Sequence, residues 1–330
     1  MPLYNRPVIE LTTVPGLERL LVGELGDYHV NYRPLSGRVY LDSAGHNIDV
    51  RRLRLVENAR LLLGESGDLG ELLADVMPLF IEYGRGLRLF AVHAERVTKD
   101  IDATSVDIAR TVGKVIEEET GMRVSLDAPD IVFYVEYEGG RYRAGVDITP
   151  YRGLRDRPYR VFVHRTALNP VIAAAMCMLA GDAETIYDPF CGSGTIPLEC
   201  ASQGRRLALG SDVTARFVRG AVLNARLSRM YGQTHFFSAD ALLTPLAGDI
   251  DAIVSNPPFG LRERALGGLR RIYRSIFRTA ARLNAPRIVL LTPRGRLLAS
   301  ASRGSSYVLA QRLPIIEGGL RSSIYIFLRS

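Results

Sequence analysis

The sequence predicts an α/β protein in two parts, a doubly wound and mostly parallel sheet in the C-terminal half preceded by an α+β module. Three observations carry that prediction. From residue 169 onward, short apolar β-like runs alternate with helical stripes, the pattern of parallel strands joined by crossover helices. Charge divides the chain: residues 1–150 hold 17 Lys+Arg and 24 Asp+Glu, net −7, whereas residues 151–330 hold 25 and 11, net +14. Between the halves, residues 151–165 carry Arg152, Arg155, Arg157, Arg160 and Arg165, with Gly153 and Pro158 breaking any regular element. That stretch is expected to be a basic linker.

In the first half, residues 7–13 form a β-rich run ended by Pro15-Gly16, and Leu17, Leu20, Leu21 and Leu25 then recur at helical spacing. Short strands are expected near Val30 and over 38–41, a mixed segment over 54–63, and a helix over 69–80. Residues 87–94 read as a strand. Thr104 with Asp107 has the spacing of a capping box, followed by an apolar stripe at Ile108, Val112, Val115 and Ile116. Residues 131–137 and 142–148, split by Gly139-Gly140, predict a hairpin. In the second half helices are expected over 169–179, 196–203, 215–229 and 269–283. Strands are expected over 185–187, 207–209, 234–237, 252–254 and 288–292, with final strands between 307 and 328.

Several classes are excluded or disfavoured. The longest apolar run, 171–180, falls short of the roughly 18–20 residues that cross a bilayer, and the N-terminus has no secretory pattern, so a cytoplasmic protein is expected. Cys177, Cys191 and Cys200 form an odd set without CxxC spacing, which argues against a disulfide framework and against zinc; the five histidines lack metal-ligand spacing, and no metal is expected.

The chemistry concentrates in two loops. Asp188-Pro189-Phe190-Cys191-Gly192-Ser193-Gly194-Thr195 joins an expected strand to a helix, where open α/β sheets bind ligands. Its glycines allow close backbone approach, and Asp188 can accept a hydrogen bond from an amino group or a ribose hydroxyl. The next strand ends at Asp212, placed to bind a ribose diol, and the one after ends near Asp240, suited to an adenine amino group. No GxxxxGK[ST] occurs, so a P-loop is excluded, and the loop lacks GxGxxG. The second loop, Asn256-Pro257-Pro258-Phe259-Gly260, has prolines that fix the backbone, an amide to accept from an amino group and an aromatic face for a planar base. Amino nitrogens conjugated to a ring are poor nucleophiles. Holding their hydrogens on the Asn256 amide oxygen and the Pro257 carbonyl would turn the lone pair toward a methyl donor.

These two motifs together resemble a Rossmann-fold amino-methyltransferase, and residues 164–170 are similar to the segment preceding the cofactor loop in that fold. In the first half, residues 12–18, 90–99, 107–110 and 146–149 resemble a THUMP module with an N-terminal ferredoxin-like partner. The family that the whole chain resembles is the THUMP-bearing tRNA guanosine N2-methyltransferases, particularly those modifying position 6 of the acceptor stem. The resemblance implies a ferredoxin-like region over 1–62, a THUMP-like RNA-binding domain over 63–150, the linker over 151–165 and a methyltransferase domain over 166–330. It implies S-adenosylmethionine held by Leu168, Asp188, Cys191, Gly192, Ser193, Gly194, Thr195, Asp212, Val213, Asp240, Ala241 and Asn256. The guanine would be handled by Asn256, Pro257 and Phe259. Many relatives have Tyr in place of Phe259, and those acting on guanosine 10 often have Asp in place of Asn256.

Arg270, Arg274, Arg278 and Arg282 recur every four residues after the second loop and should line one helix face. With Arg262, Arg264, Arg155, Arg96, Lys99 and Arg110 they are candidate contacts to tRNA, although each alone reads equally well as a solvated charge. Cys191 is given a packing role, and His164 either a ligand contact or a bland structural one. A monomer is expected. Alternatives are methylation of guanosine 10 or of ribosomal RNA, a protein-glutamine or DNA-adenine methyltransferase, and a non-catalytic RNA-binding protein.

Overall fold

A computed structural model of the chain describes residues 8–42, 48–149, 154–205, 207–260 and 268–330. The described residues within 8–13, 22–33 and 38–154 form one compact unit, and those within 14–21, 34–37 and 155–330 form the other.

The first unit is built on one eight-stranded sheet in the order β2-β3-β1-β4-β8-β7-β5-β6. The strands are β1 (Val8–Thr12), β2 (Val30–Tyr32), β3 (Arg38–Asp42), β4 (Asn58–Ser66), β5 (Leu89–Arg96), β6 (Arg123–Val124), β7 (Ile131–Glu138) and β8 (Arg141–Asp147). After helix α1 (Glu18–Leu25), α2 (Leu69–Tyr83) and α3 (Ser105–Thr120) cover one sheet face. Phe80, Ile108, Val112 and Ile116 pack there on Phe90, Phe133, Val135 and Val146. The capping box of α3 forms as its spacing predicts, and Gly121 closes the helix with φ 71°. The segment read as mixed is the start of β4, which pairs β1 along 58–62 and β8 along 60–66. A boundary at 62/63 therefore falls inside a strand shared by both halves of the sheet. The alternate residues of these strands point to the other face, where Arg60, 1% exposed, bonds Glu10, Glu95 and Tyr134 at 2.6–2.9 Å. Glu136 there accepts from Tyr134 and from Arg143 at 2.6 and 2.8 Å and pairs with Arg38. Among the described residues the network joins five carboxylates, Glu10, Glu65, Glu95, Glu136 and Glu138, to four guanidiniums, Arg38, Arg60, Arg141 and Arg143.

The second unit has a seven-stranded sheet, β11-β10-β9-β12-β13-β15-β14. Strands β9 (Thr185–Asp188), β10 (Leu207–Asp212), β11 (Thr234–Ser238), β12 (Ala252–Ser255) and β13 (Arg287–Thr292) are parallel. The hairpin of β14 (Tyr307–Glu317) and β15 (Leu320–Arg329) adds two antiparallel strands, with β15 inserted next to β13. Helices α4 (Pro170–Leu179), α5 (Thr195–Ser202), α6 (Ala215–Ser228) and α7 (Leu269–Arg282) fall where the periodicity placed them. A short α8 (Gly295–Ser302) has only two buried side chains, Leu298 and Ala301, too few to show as a stripe. Tyr187, Ile253, Ile276, Phe277, Leu290 and Phe327 form the core under α7 and α8.

Two expectations need correction. Residues 157–162 are docked rather than linking: buried Arg157 and Tyr159 bond Glu199 on α5 at 3.1 and 2.6 Å, and Phe162 N–H donates to the Asn224 amide oxygen at 2.9 Å. Of the arginines in this stretch, Arg157 pairs with the buried Glu199, and Arg160 donates to the Leu168 carbonyl at 3.3 Å. Second, Cys177 on α4 and Cys200 on α5 form a disulfide, with Cα atoms 5.1 Å apart and a separation of 23 positions in sequence. Side-by-side packing of the helices that flank β9 brings them together, and no local spacing signals it. Closing a loop of that length stabilises by about 3 kcal/mol. Unfolded without reductant, the protein should titrate one thiol, that of Cys191, and reduction should lower its unfolding midpoint by several degrees. Three titrating thiols would show that the pair is not joined.

Candidate active site

Strand order places the functional side chains. The chain runs from β9 outward to β10 and β11, then returns to β12 on the other side of β9, which makes the ends of these strands a topological switch point. In sheet order the carboxyl edge carries Asp240 just beyond β11, Asp212 on β10, Asp188 on β9 and Asn256 just beyond β12. Three strand spacings make that row about 14 Å long.

Asp188 is 1% exposed, and its Oδ1 accepts from the Phe190 N–H at 3.0 Å and the Ser255 hydroxyl at 2.5 Å. Burial pushes its carboxyl up to about 7 against the pull of those two donors, and the nearby Asp212 adds to the rise. Asp212 accepts one backbone N–H on each oxygen, from Gly192 at 3.1 Å and Thr214 at 2.8 Å, so lone pairs on both oxygens remain for a diol. Asp240, exposed, accepts from Leu242 N–H at 2.9 Å and so holds the turn beyond β11.

The loop between β9 and α5 turns on Gly192 and Gly194, at φ 53° and 82°, a left-handed backbone that favours glycine. A side chain at either would also strike the His164 ring or Phe236. His164 stacks on Phe217 with centroids 4.6 Å apart, and the Asn224 amide donates to the Ser193 carbonyl at 3.0 Å. Cys191, Ser193 and Thr195 are buried within the turn, as is Leu168 just before α4. Burial raises the Cys191 thiol well above its ordinary value, so it stays protonated and unreactive. Ala241 is buried, whereas Val213 and Leu243 are 68% and 78% exposed beside Asp212 and Asp240, apolar surface left open at the edge where a planar ring can rest.

Beyond β12, Pro257 is buried and Phe259 half-buried. The Asn256 Oδ1 is buried and, among the described residues, has no hydrogen-bond partner. An acceptor in that state costs free energy unless a donor arrives. The Phe259 carbonyl is held by Arg294 Nε at 3.1 Å, and Ser255 ties the root of the same loop to Asp188. The acid-bearing strand edge and the loop that carries the amide are thus braced together.

Ser255, Asn224, Arg294 and Leu243 were not singled out in the sequence. Asn224 alone had a signal, a polar residue within the buried stripe Val218, Ala221, Ala225 of α6. Arg270, Arg274 and Arg278 are exposed on α7 while Ile272, Tyr273, Ile276, Phe277 and Ala280 are buried, so the basic ridge exists and runs about 18 Å with Arg282. Arg155 and Lys99 are exposed, and Arg110 pairs with Asp107 at 3.1 Å. Arg96 donates to the carbonyls of Ile101 and Ala103, which makes it a brace for the turn before α3. Arg262 and Arg264 lie outside the described residues. Among the described residues no cluster of three potential metal ligands occurs, and no helix is long and apolar enough to cross a membrane.

A family model described as an RMKL-like methyltransferase domain matches residues 157–313, and a THUMP domain model matches 68–142. The chain is 30% identical over 360 residues to a tRNA (guanine(6)-N2)-methyltransferase of Archaeoglobus fulgidus, covering 96% of this chain and 91% of that one. It is 32% identical to the enzyme of the same name from Thermus thermophilus, covering 96% and 98%. The crystal structure of TrmN from Thermus thermophilus superimposes with a TM-score of 0.83 at 29% identity, over 98% of this chain and all of the other.

Proposed function

We propose that this chain, which belongs to the tRNA (guanine-N2)-methyltransferase family, transfers a methyl group from S-adenosylmethionine to the exocyclic N2 of a guanosine in tRNA, at position 6 of the acceptor stem. The observation that carries the reading is the buried, unpartnered Oδ1 of Asn256 at the end of β12. Position 6 is supported by two relatives of that name that match nearly the full chain, and by Asn rather than Asp at 256.

The site fits the donor by the chemistry of its side chains: a buried acid at 188, a carboxylate at 212 with free lone pairs, a glycine turn, and exposed apolar surface at Val213 and Leu243. Leu168, Cys191, Gly192, Ser193, Gly194, Thr195, Asp240 and Ala241 complete its lining. Bound S-adenosylmethionine supplies an electrophilic methyl group on a sulfonium centre. Asn256 Oδ1 and the Pro257 carbonyl hold the two amino hydrogens, which weakens conjugation of the nitrogen with the ring and aims its lone pair. Phe259 stacks on the base, and Arg294 holds the Phe259 backbone in place. Because the target lies in a duplex stem, the base leaves the stack to reach the clamp. The ridge of Arg270, Arg274 and Arg278 carries phosphates of the incoming RNA. We assign residues 63–150 as the RNA-binding domain and 1–62 as its ferredoxin-like partner, the two sharing β4.

Unmodified tRNA transcripts incubated with labelled S-adenosylmethionine should yield labelled N2-methylguanosine, and replacing guanosine 6 by adenosine should remove the label. Label that maps to nucleotide 10 would overturn the position. No labelled nucleoside from any RNA would overturn the activity.

A further inference from the structure

At the end of the sheet beyond the clamp lies a cavity of about 270 Å³ within the second unit. Its floor is a row across three strands, Thr292 on β13 opposite Ser323 on β15, itself opposite Pro314 on β14. Arg312 and Arg321 line it together with Ser322 and Tyr325, and among the described residues no carboxylate does.

The state of these groups points to an anion. Arg321 is exposed, and its side chain makes no hydrogen bond or ion pair among the described residues. Arg312 donates Nε to the buried Ser323 hydroxyl at 3.1 Å, and its guanidinium lies 5.7 Å from the centre of the Tyr325 ring. That arrangement orients its remaining N–H groups and neutralises none of its charge. Thr292 is internally satisfied, bonded to Tyr273 at 2.6 Å and accepting from the Arg294 N–H at 3.0 Å, so it shapes the floor only. Pro293, Ile315 and Leu35 give apolar walls. Leu35 sits at φ 61°, a conformation that costs a β-carbon-bearing residue energy and recurs where ligands are gripped. Two unneutralised guanidiniums beside apolar walls suit a phosphate with its sugar.

Position decides which phosphate. β13 alone separates β15 from β12, so the cavity lies about 10 Å, two strand spacings, from the end of the strand that carries the clamp. Arg294, two residues past Thr292, bonds the clamp at the Phe259 carbonyl. A nucleotide extruded into the clamp swings about its own backbone, which leaves the linkages on either side at the mouth of the site. We infer that this cavity holds one RNA backbone phosphodiester next to the methylated nucleotide, with Arg321 and Arg312 as its donors. The inference rests on the reading that the chain methylates a tRNA guanosine.

The test uses the full chain and tRNA assembled with a single neutral methylphosphonate at each linkage flanking the target in turn. For the wild-type protein, one linkage should lower kcat/KM about tenfold. Arg321→Ala should lose about as much on unmodified tRNA and nothing further when that linkage is neutral, and Arg321→Lys should recover part of the loss. Cofactor affinity and the unfolding midpoint should not move, because Arg321 is exposed at the hairpin end. Wild-type indifference to every flanking methylphosphonate, or an Arg321→Ala variant as sensitive as wild type, overturns the inference. So does an equal small loss at all linkages, which would mean diffuse charge attraction. Failure of the underlying reading is a separate result: wild-type protein that methylates no RNA at all.

Discussion

Asn256→Ala should lower methyl transfer to tRNA by roughly 10²–10³-fold, the usual cost of deleting one preorganised polar group that meets the transition state. Binding of S-adenosylmethionine should change little. The reason is local: the Asn256 Oδ1 is buried without a partner, so the folded protein bears the cost of desolvating it, and an amino hydrogen of the target relieves that cost. Removing the acceptor therefore has two opposite effects. The apo protein loses an unsatisfied group and should unfold at the same temperature or slightly higher. Turnover falls because the nitrogen lone pair is no longer aimed at the methyl. The loss should appear in kcat more than in KM for tRNA, since ridge and cavity contacts remain. Single-turnover rates with saturating cofactor check this, and a variant that keeps a third or more of wild-type activity would remove Asn256 from the mechanism.

Asp188→Asn should weaken S-adenosylmethionine binding by at least about 100-fold while stabilising the ligand-free protein at pH 8. Burial raises the Asp188 carboxyl from its ordinary 3.8 to about 7, which corresponds to roughly 4 kcal/mol withheld from the folded state when the group is ionised. The folded carboxyl binds its proton more tightly than the unfolded one. Its favourable contribution is therefore full below about pH 4 and is lost as the pH rises through 7. An amide at 188 still accepts from Phe190 and Ser255 and avoids that loss. The unfolding midpoint of the variant should exceed that of wild type by on the order of 5 °C at pH 8, with the gap closing below about pH 5. S-adenosylmethionine carries ammonium and sulfonium cations, so it favours the ionised carboxylate. Wild-type affinity should strengthen about tenfold for each step of one in pH up to 7 and then level, while the variant stays weak and flat. Calorimetric titration from pH 5.5 to 8.5 measures both. Cofactor affinity within threefold of wild type in the variant would show that Asp188 is structural only.

These two residues also mark how legible the molecule was. Both lie in short motifs at strand ends, where proline and glycine must interrupt a periodic pattern, and an interruption is visible in a linear string. The parallel order of β9 to β13 was legible for the same reason, since buried parallel strands are uninterrupted apolar runs between amphipathic helices. What supports the motifs was not. Ser255 reaches Asp188 only because β12 pairs with β9, residue 253 opposite 187, across a gap of 66 in sequence. Arg294 reaches Phe259 through the placement of β13 beside β12.

The sequence by itself determined the alternation that makes the second sheet, the row of acids and amide along its edge, and the arginine ridge on α7. Each depends on spacing along one element or at its end. Only the tertiary structure decided that Cys177 meets Cys200, that residues 157–162 dock on Glu199 and Asn224, that β4 is shared across the first sheet, and that Arg312 and Arg321 enclose a cavity beside the clamp. Those features arise between elements distant in the chain, where contact follows from packing and strand register, and side-chain spacing in the sequence holds no record of either.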